Sequence, residues 1–404
     1  TRRQAARAKL LQVAQRFGLA VDPQALVGKL SVGERQRVEI LKALYRGARI
    51  LILDEPTAVL TPQESEALFE VLAQMVAQGL SIIFISHKLA EVLRVSHRVA
   101  VLRGGKLVAQ ADARQTTQAQ LAQWMVGHAI GAPQRHPSRV VGAPVCVLDQ
   151  VSGGSGRERL ERVCLTLQAG EIVAIAGVSG NGQVALAEVL CGTRRFDSGK
   201  LSLLGQDLPT DPAQLVALGV ARIPEDRHAV GVVGDLPVWE NAVSERLRSR
   251  SFSRFLWVRR AAAQAYAQRV IKAFDVRGGG PGTAARALSG GNMQKLILGR
   301  ALLHPDSANT QTNTTPRLIV AHQPTWGLDI GAVAYVQAQL LAARDAGAAV
   351  LLISDDLDEV LTLGDRVAVM HAGHLSPARP ALDWTRETVG LAMAGVNDGA
   401  RHAT

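Results

Sequence analysis

The chain has 404 residues, of which 47% are hydrophobic and 20% charged, and its formal net charge at pH 7 is +10. This length and composition predict two or three globular α/β domains with large cores, which argues against a disordered or fibrous protein. No apolar run approaches the roughly 20 residues that span a bilayer, and no signal peptide opens the chain. We therefore expect a soluble protein, which could sit on a membrane through a partner.

The cysteines also bear on the cellular compartment. Cys146, Cys164 and Cys191 are odd in number, widely spaced and without metal-ligand spacing. This pattern predicts buried thiols of a cytosolic protein rather than a disulfide framework.

The chain opens with a helical pattern over residues 1–28, and a second helix is predicted to begin at Ser31. Ser31 and Glu34 form a capping box, and apolar residues recur after them at helical spacing. A helix N-terminus offers free N–H groups and a positive dipole end, which suit a phosphate. The alternative is that Ser31 only caps the helix. Capping and phosphate binding are compatible.

A short apolar stretch, Ile50–Leu53, follows and ends in Asp54 and Glu55. Four consecutive apolar residues predict a buried strand of a parallel sheet, so both carboxylates should lie at the edge where such sheets bind ligands. Asp54 suits Mg²⁺, directly or through water, and Glu55 could polarise a water nucleophile.

After a helix over 62–78, another buried strand over 82–85 is predicted to deliver Ser86 and His87 to the same edge. A lone histidine is usually structural, but this position favours contact with a γ-phosphate or water. A hairpin follows over 99–109, and residues 129–144 contain proline and glycine without periodicity, which predicts a linker.

The second half of the chain repeats the first. The segment 85–92 matches 353–360, and 53–57 matches 321–325, both at the same offset. Leu30-Ser31 matches Leu288-Ser289 at a smaller offset, so a polar stretch over 307–316 is the predicted insertion, a surface loop. Such a repeat indicates two copies of one domain.

The second copy also contains a strand (171–176), a glycine loop and a helix (185–190), the context that a phosphate-binding P-loop requires. The match is partial, because Gln183 holds the lysine position and Val184 the position of the Mg²⁺-binding hydroxyl. Backbone N–H groups could still bind phosphates. The predicted nucleotide-binding residues are Gly177, Ser179, Gly180, Asn181, Gly182 and Gln183.

A dense basic cluster, Arg246–Arg260, contains interleaved aromatic residues. RNA binding is one interpretation. A solvated amphipathic helix or a docking surface is the favoured one.

The signature-like loop at Ser31, the strand ending in Asp54-Glu55 and the later His87 resemble, in order and spacing, the signature, Walker B and switch motifs of ATP-binding cassette (ABC) ATPases. Two fused cassettes, and strings such as 323–329 and 353–358, are similar to the ATPase subunits of bacterial sugar and simple-nucleoside importers, with the nucleoside branch favoured. The resemblance implies an α/β P-loop NTPase (RecA-like) fold in tandem, with the first domain incomplete. The domains would be 1–128 and 145–404.

In that family each ATP lies between one cassette's Walker motifs and the other's signature. The resemblance therefore implies a competent site and a degenerate one that binds nucleotide weakly without hydrolysis, where His322, Gln323 and Asp355 replace the acids and the histidine. The competent site would combine Asp54, Glu55 and His87 with Ser289, Gly290 and Gly291, and the degenerate site would combine the Gly177–Gln183 loop with Ser31 and Gly33. Glu225 occupies the place of the γ-phosphate and coupling loop, unless Pro224–Asp226 is only a turn.

The spacing from Gly177 to Ser289, applied to Ser31, places a first P-loop near position −81, outside this chain. We accordingly expect the C-terminal part of a longer protein. The resemblance implies ATP and Mg²⁺ as cofactors, integral membrane permease subunits as direct partners and a periplasmic or lipoprotein solute-binding protein as an indirect one. It also implies that the protein lies at the cytoplasmic face of the membrane and that it binds no nucleic acid. The alternatives are an inactive truncated remnant and a soluble twin-cassette protein acting on ribosomes or DNA.

Overall fold

The structure is a computed structural model that describes residues 2–19, 21–30, 32–57, 60, 62–86, 88–103, 105–126, 141–209, 211–255, 257–305 and 316–395. The chain divides into two compact units, residues 1–130 and 131–404. The linker predicted over 129–144 and the insertion predicted over 307–316 lie almost entirely outside the described residues.

Among its described residues, the first unit contains two small sheets and five α-helices. Its helices are α1 Arg2–Arg16, α2 Val32–Tyr45, α3 Pro62–Ala77, α4 Leu89–Val95 and α5 Gln118–Val126, and its strands are β1 Ile50–Asp54, β2 Ser81–Ile85, β3 Arg98–Arg103 and β4 Lys106–Asp112. β1 pairs with β2 in parallel, and β3 pairs with β4 as an antiparallel hairpin. The parallel pair and the hairpin are confirmed predictions.

The burial predicted for β1 and β2 is wrong on one face. Leu51 and Leu53 are buried with α1, α2 and α3 residues such as Leu41 and Met75. Ile52 on the opposite face is 63% exposed, and the corresponding face of β2 is exposed too. Within the described part of this unit, helices cover one face of the pair only, so the strands alternate between buried and exposed residues.

The second unit contains thirteen strands and eight helices among its described residues. The strands are β5 Pro144–Ser155, β6 Glu158–Gln168, β7 Ile172–Ala176, β8 Ser198–Leu203, β9 Gln206–Asp207, β10 Val220–Ile223, β11 Ser253–Arg254, β12 Trp257–Val258, β13 Leu318–His322, β14 Ala349–Ser354, β15 Arg366–His371, β16 His374–Leu375 and β17 Arg379–Pro380. The helices are α6 Gln183–Leu190, α7 Pro212–Ala217, α8 Val238–Val243, α9 Arg260–Ala273, α10 Gly290–Leu302, α11 Ile330–Asp345, α12 Leu357–Leu363 and α13 Arg386–Met393.

The central sheet of this unit has the strand order β10-β13-β14-β7-β15-β16, with β17 also paired to β15. The first five strands are parallel. Their register pairs His322 with Ile353, and Ser354 with Ala176, so β13, β14 and β7 end at one edge. Since ligands of open α/β sheets bind outside the carboxyl ends of the strands, this edge is the place for a site.

Cores cover both faces of that sheet. One contains residues of α8 to α13, and the other contains α6 and the antiparallel sheet β6-β5-β8-β9. β7, β13 and β14 are buried along their whole lengths, as expected for apolar runs in a parallel sheet.

The basic cluster Arg246–Arg260 is not the amphipathic helix that one interpretation expected. A 3₁₀ turn at Ser244–Arg246 leads into the hairpin β11–β12, and α9 begins only at Arg260. The segment alternates serine with larger residues, and serine competes with helix formation by local hydrogen bonding.

Two of the three cysteines follow the prediction. Cys146 and Cys191 are buried, and burial raises the pKa of each thiol to about 12. The prediction is wrong for Cys164, which is exposed near the irregular pairing of β5 with β6. Among the described residues, the structure contains no helix with the length and apolar character to cross a membrane.

Candidate functional site

The sheet edge of the first unit brings the two predicted carboxylates to the end of β2. Asp54 pairs in register with Ile85, and the Glu55 N–H donates to the Ile85 carbonyl at 2.9 Å. Glu55 has a φ of 45°, a left-handed conformation that turns the chain sharply after the strand. Asp54 is exposed and Glu55 half-buried. His87 lies outside the described residues, and its predicted role stays a prediction.

The second unit has the same backbone at this edge with different side chains. The N–H of Gln323 donates to the Ile353 carbonyl at 2.8 Å, and Gln323 has a φ of 48°. His322 and Gln323 are both buried, whereas Asp355 is half-buried at the end of β14. The repeat therefore preserved the turn while the acids were replaced.

His322 lies beside Glu225, with 3.7 Å between Nε2 and Oε2. Burial lowers the pKa of His322 to about 4, so the imidazole is neutral at pH 7. Burial, together with the charges of Glu158 and Asp226, raises the pKa of Glu225. Because Mg²⁺ prefers hard oxygen ligands and keeps most of its waters, a buried imidazole and an amide do not fit it here. At the first edge, the exposed carboxylate of Asp54 and the adjacent half-buried carboxylate of Glu55 supply oxygen atoms of the kind that Mg²⁺ prefers.

The predicted P-loop of the second unit joins β7 to α6. Gly180 and Gly182 have φ angles of 88° and 107°. A side chain at Gly182 would approach the Arg159 carbonyl to 2.5 Å, and one at Gly177 would approach the Met370 carbonyl to 2.8 Å. Both positions therefore require glycine on steric grounds, as a tight phosphate-binding turn does.

The Gln183 side chain is folded into this loop and is only 3% exposed. Its Oε1 accepts from the Asn181 N–H at 2.9 Å, and its Nε2 donates to the Val178 carbonyl at 2.8 Å. The amide oxygen thus occupies an N–H donor of the loop that would otherwise be available to a phosphate oxygen. The loop has the shape of a P-loop but lacks the positive charge of the lysine. One of its backbone N–H groups already donates to the Gln183 side chain.

A cavity of about 310 Å³ opens beside this loop. Ser179, Gly180 and Asn181 line it from the loop, and Arg157 and Arg159 line it from the turn and strand that follow β5. Asn181 Oδ1 also accepts from the Ala372 N–H at 2.9 Å, which anchors the loop to the turn between β15 and β16.

The signature positions lie at the starts of α2 and α10. Ser289 precedes α10, and its Oγ accepts from Asn292 Nδ2 at 2.9 Å instead of capping the backbone. The first N–H groups of α10, which include those of Gly290 and Gly291, therefore have no side-chain cap. Gly33 lies in the first turn of α2. Ser31 is outside the described residues, so its capping box is not tested.

Two glutamines that the sequence did not single out hold the signature helix of each unit to the turn that follows β1 or β13. Gln294 Nε2 donates to the Pro324 carbonyl at 2.8 Å, and Gln36 Nε2 donates to the Pro56 carbonyl at 2.5 Å. Each glutamine stands five positions after the signature serine of its own repeat. The repeat itself was the signal that could have identified them.

Arg227 is a third residue that the sequence did not single out. Its guanidinium donates to the Trp326 and Gly327 carbonyls at 2.7 and 3.2 Å, and it packs against Gly290. Arg227 therefore ties the Glu225 loop to both the turn after β13 and the signature, a long-range contact that no local pattern predicts.

This tandem of α/β units, with a glycine loop and signature helix in the second and an acidic strand edge in the first, defines a P-loop ATPase architecture. The profile of the ABC transporter family matches residues 1–58 and 160–307. The chain belongs to that family, among the ATP-binding proteins of sugar and nucleoside import systems.

Curated relatives match almost the whole chain. The glucose import ATP-binding protein of Haloferax volcanii is 42% identical over 98% of this chain and 71% of its own length. The nucleoside import ATP-binding protein of Lactococcus lactis is 37% identical over 97% and 76%, and the guanosine import ATP-binding protein of Bacillus subtilis is 40% identical over 95% and 74%.

Solved structures show the fold. RNase-L inhibitor aligns with a TM-score of 0.64 at 19% identity, over 96% of this chain and 71% of that one. A nucleotide-free cassette of an ABC transporter aligns with a TM-score of 0.50 at 21% identity, over 63% of this chain and 97% of that one. The predicted α/β P-loop ATPase fold of the ABC type is confirmed.

Proposed function

We propose that the first unit provides the catalytic carboxylates of a Mg²⁺-dependent ATPase that powers import of a nucleoside or sugar. The observation that supports this is the aligned edge of β1 and β2, where Asp54 and Glu55 follow the strand with the backbone of Glu55 bonded to Ile85. Asp54 would hold the metal ion and Glu55 would accept a proton from the attacking water. His87 would contact the γ-phosphate.

When bound, Mg²⁺ neutralises phosphate charge in the transition state. Groups of this chain would provide the other contacts to the nucleotide. The uncapped N–H groups of Gly290 and Gly291 and the hydroxyl of Ser289 would bind the γ-phosphate of the nucleotide held by the first unit. Gln36 would keep α2 in place against the acidic turn. Glu225, which lies beside His322 in the second unit, would sense the γ-phosphate of the nucleotide at the second site.

The second site would bind nucleotide weakly and would not hydrolyse it. Its loop, Gly177–Gln183, offers backbone donors but no lysine, and His322 and Gln323 supply neither a metal ligand of the right kind nor a general base. Ser31 and Gly33 would complete it from the other signature.

The assembly partners and the location belong to the same proposal. Relatives are named as import proteins for glucose, nucleosides and guanosine. We infer integral membrane permease subunits as direct partners at the cytoplasmic face, and a solute-binding protein as an indirect one. A nucleoside is the favoured solute, and uptake of labelled guanosine, glucose and ribose in cells with and without the gene would separate the candidates.

The test is ATP turnover with Mg²⁺ for the 404-residue chain, beside a longer chain with a P-loop segment added upstream. Glu55→Gln in the active form should lower turnover by about 100-fold or more, because the general base is lost. Glu70→Gln, an exposed acid on α3, is the matched control and should be neutral. Equal turnover in both chains, or retained turnover in Glu55→Gln, would contradict the assignment.

A further inference from the structure

The stretch from Arg246 to Phe274 contains eight cationic residues and no aspartate or glutamate. Its middle forms the hairpin β11–β12, in which Ser253 pairs with Val258 and Arg254 with Trp257. This is the strongest one-sign stretch of the second unit that the proposed ATPase function does not use.

Two aromatic rings project from this hairpin. Phe255 is 83% exposed and Trp257 81% exposed. The Arg254 guanidinium lies over the Phe255 ring, 5.5 Å from its centroid. We call Arg254, Phe255 and Trp257 the hairpin tip. Exposed large aromatic side chains are unfavourable in water unless a partner covers them.

The tip is held on a rigid base. Phe252, directly before β11, is buried with its ring centroid 5.1 Å from that of Tyr266. Its carbonyl accepts from the Arg259 N–H at 2.8 Å, which closes the hairpin. The Tyr266 hydroxyl donates to the Leu303 carbonyl at 2.9 Å. Phe255 has a φ of 48°, as the first residue of a two-residue hairpin turn requires.

Within 15 residues, the hairpin and its flanks expose five arginines: Arg248, Arg250, Arg254, Arg259 and Arg260. In the part of the chain that the structure describes, none of these five forms an ion pair with a carboxylate. Other exposed arginines of the unit do, since Arg277 pairs with Asp275 and Arg286 with Asp235. The surface around the tip therefore has a net positive charge that only an anionic partner would neutralise.

We propose that the hairpin tip docks on an anionic phospholipid surface, with Phe255 and Trp257 at the headgroup boundary and the surrounding arginines on lipid phosphates. Tryptophan is enriched at membrane interfaces, and basic residues near an anionic surface each contribute about 1 kcal/mol. Cytoplasmic loops of membrane proteins are themselves rich in lysine and arginine, so they match this surface poorly. The choice of a lipid over RNA rests on the proposed import function, which places the chain at a membrane.

The test is flotation of the full 404-residue chain with vesicles, without permease or nucleotide. Vesicles of phosphatidylcholine mixed with phosphatidylglycerol should bind the chain in a salt-sensitive way, and vesicles of phosphatidylcholine alone should not. The double variant Arg248→Gln/Arg254→Gln should weaken binding by about 30-fold. The control Arg277→Gln/Arg286→Gln removes equal charge elsewhere and should leave binding unchanged.

Trp257→Phe separates insertion from simple charge attraction. Lipids with brominated chains should quench part of the tryptophan emission of the native chain, and this quenching should disappear in Trp257→Phe while binding persists. Absent binding to the mixed vesicles, equal binding by the two double variants, or equal binding to neutral vesicles would overturn the proposal. Binding of single-stranded RNA in place of vesicles, with the same dependence on Arg248 and Arg254, would overturn it in favour of a nucleic-acid surface. ATP turnover is measured separately, so failure here leaves the ATPase proposal intact.

Discussion

Ile85 and Ile353 occupy the same place in the two repeats, and both precede a serine at the end of a parallel strand. Ile353 is 1% exposed, packed in the core that includes α6 and the antiparallel sheet β6-β5-β8-β9. Ile85 is 46% exposed, because no described element of the first unit covers that face. The same residue on the same strand thus has a different environment, set by what packs across the sheet.

At the two sheet edges the side chains differ, although the backbone is the same. The first edge has an exposed carboxylate, Asp54, beside a half-buried one, Glu55, whereas the second has a buried neutral imidazole and a buried amide. The backbone turn is shared, with φ angles of 45° at Glu55 and 48° at Gln323. The comparison teaches that the turn belongs to the fold, and that catalytic capacity depends on which side chains follow the strand.

The largest effect is expected from truncating the two isoleucines. Ile353→Ala should lower the free energy of unfolding of the second unit by about 2–5 kcal/mol, because it opens a cavity in a closed core. Ile85→Ala should lower that of the first unit by less than about 1 kcal/mol. Hydrogen exchange at the amides of β14 and β2 measures both. An equal cost would mean that the Ile85 face is covered in solution.

A second contrast concerns Glu91 and Glu359, which also occupy equivalent places in the two repeats. Glu91 Oε1 lies 3.7 Å from Lys88 Nζ, whereas Asp356 replaces that lysine in the second unit. Burial, reinforced by Asp356, raises the pKa of Glu359 to about 7.

The folded state therefore keeps the carboxyl group of Glu359 protonated between about pH 4.5 and 7, where the same group in the unfolded chain has lost its proton. Its stabilising effect is complete below about pH 4.5 and is lost as the pH rises through 7. We expect up to about 3 kcal/mol of this dependence to disappear in Glu359→Gln, and the dependence to persist in Glu91→Gln. Unfolding midpoints of the second unit at several pH values measure it, and an unchanged profile in Glu359→Gln would show that another group titrates.

The positive charge that the P-loop of the second unit lacks can be restored at Gln183. Gln183→Lys should raise the affinity of the second unit for ATP by about 10- to 100-fold, since charge-assisted hydrogen bonds to phosphate are the strong ones. Titration with a fluorescent ATP analogue measures the change. Gln183→Ala removes the side chain that fills the loop without adding charge, and a gain as large as that of lysine would show that occupancy, not charge, limits binding.

The smallest expected effect compares the two glutamines on the signature helices. Gln294→Leu leaves the Pro324 carbonyl without its donor in a buried place and should destabilise the second unit by about 1–2 kcal/mol. Gln36→Leu, at a half-buried position, should destabilise the first unit by about half of that. Thermal unfolding of the two variants gives both numbers, and equal losses would imply equal burial of the two turns.

Much of the site could be predicted because its motifs are local. A strand that ends in Asp54-Glu55, a glycine loop between a strand and a helix, and an internal repeat are visible in short windows of sequence. The predicted fold class, the parallel pairing of β1 with β2 and the hairpin β3–β4 are accordingly confirmed. Where the expectation failed, as for the two-sided burial of β1 or the helix at Arg246–Arg260, the outcome depended on distant elements or on competing local hydrogen bonds.

The sequence by itself determined the family, the order of the motifs and the loss of acids and lysine at the second site, because these depend only on residue type and spacing. The tertiary structure alone decided that Gln183 folds back into its own loop, that Arg227 joins three segments around the signature, and that Phe255 and Trp257 project together from an anchored hairpin. The physical reason is the separation along the chain of the residues that make these contacts. Side-chain burial and hydrogen bonding between residues far apart in the chain arise from packing, which no local pattern specifies.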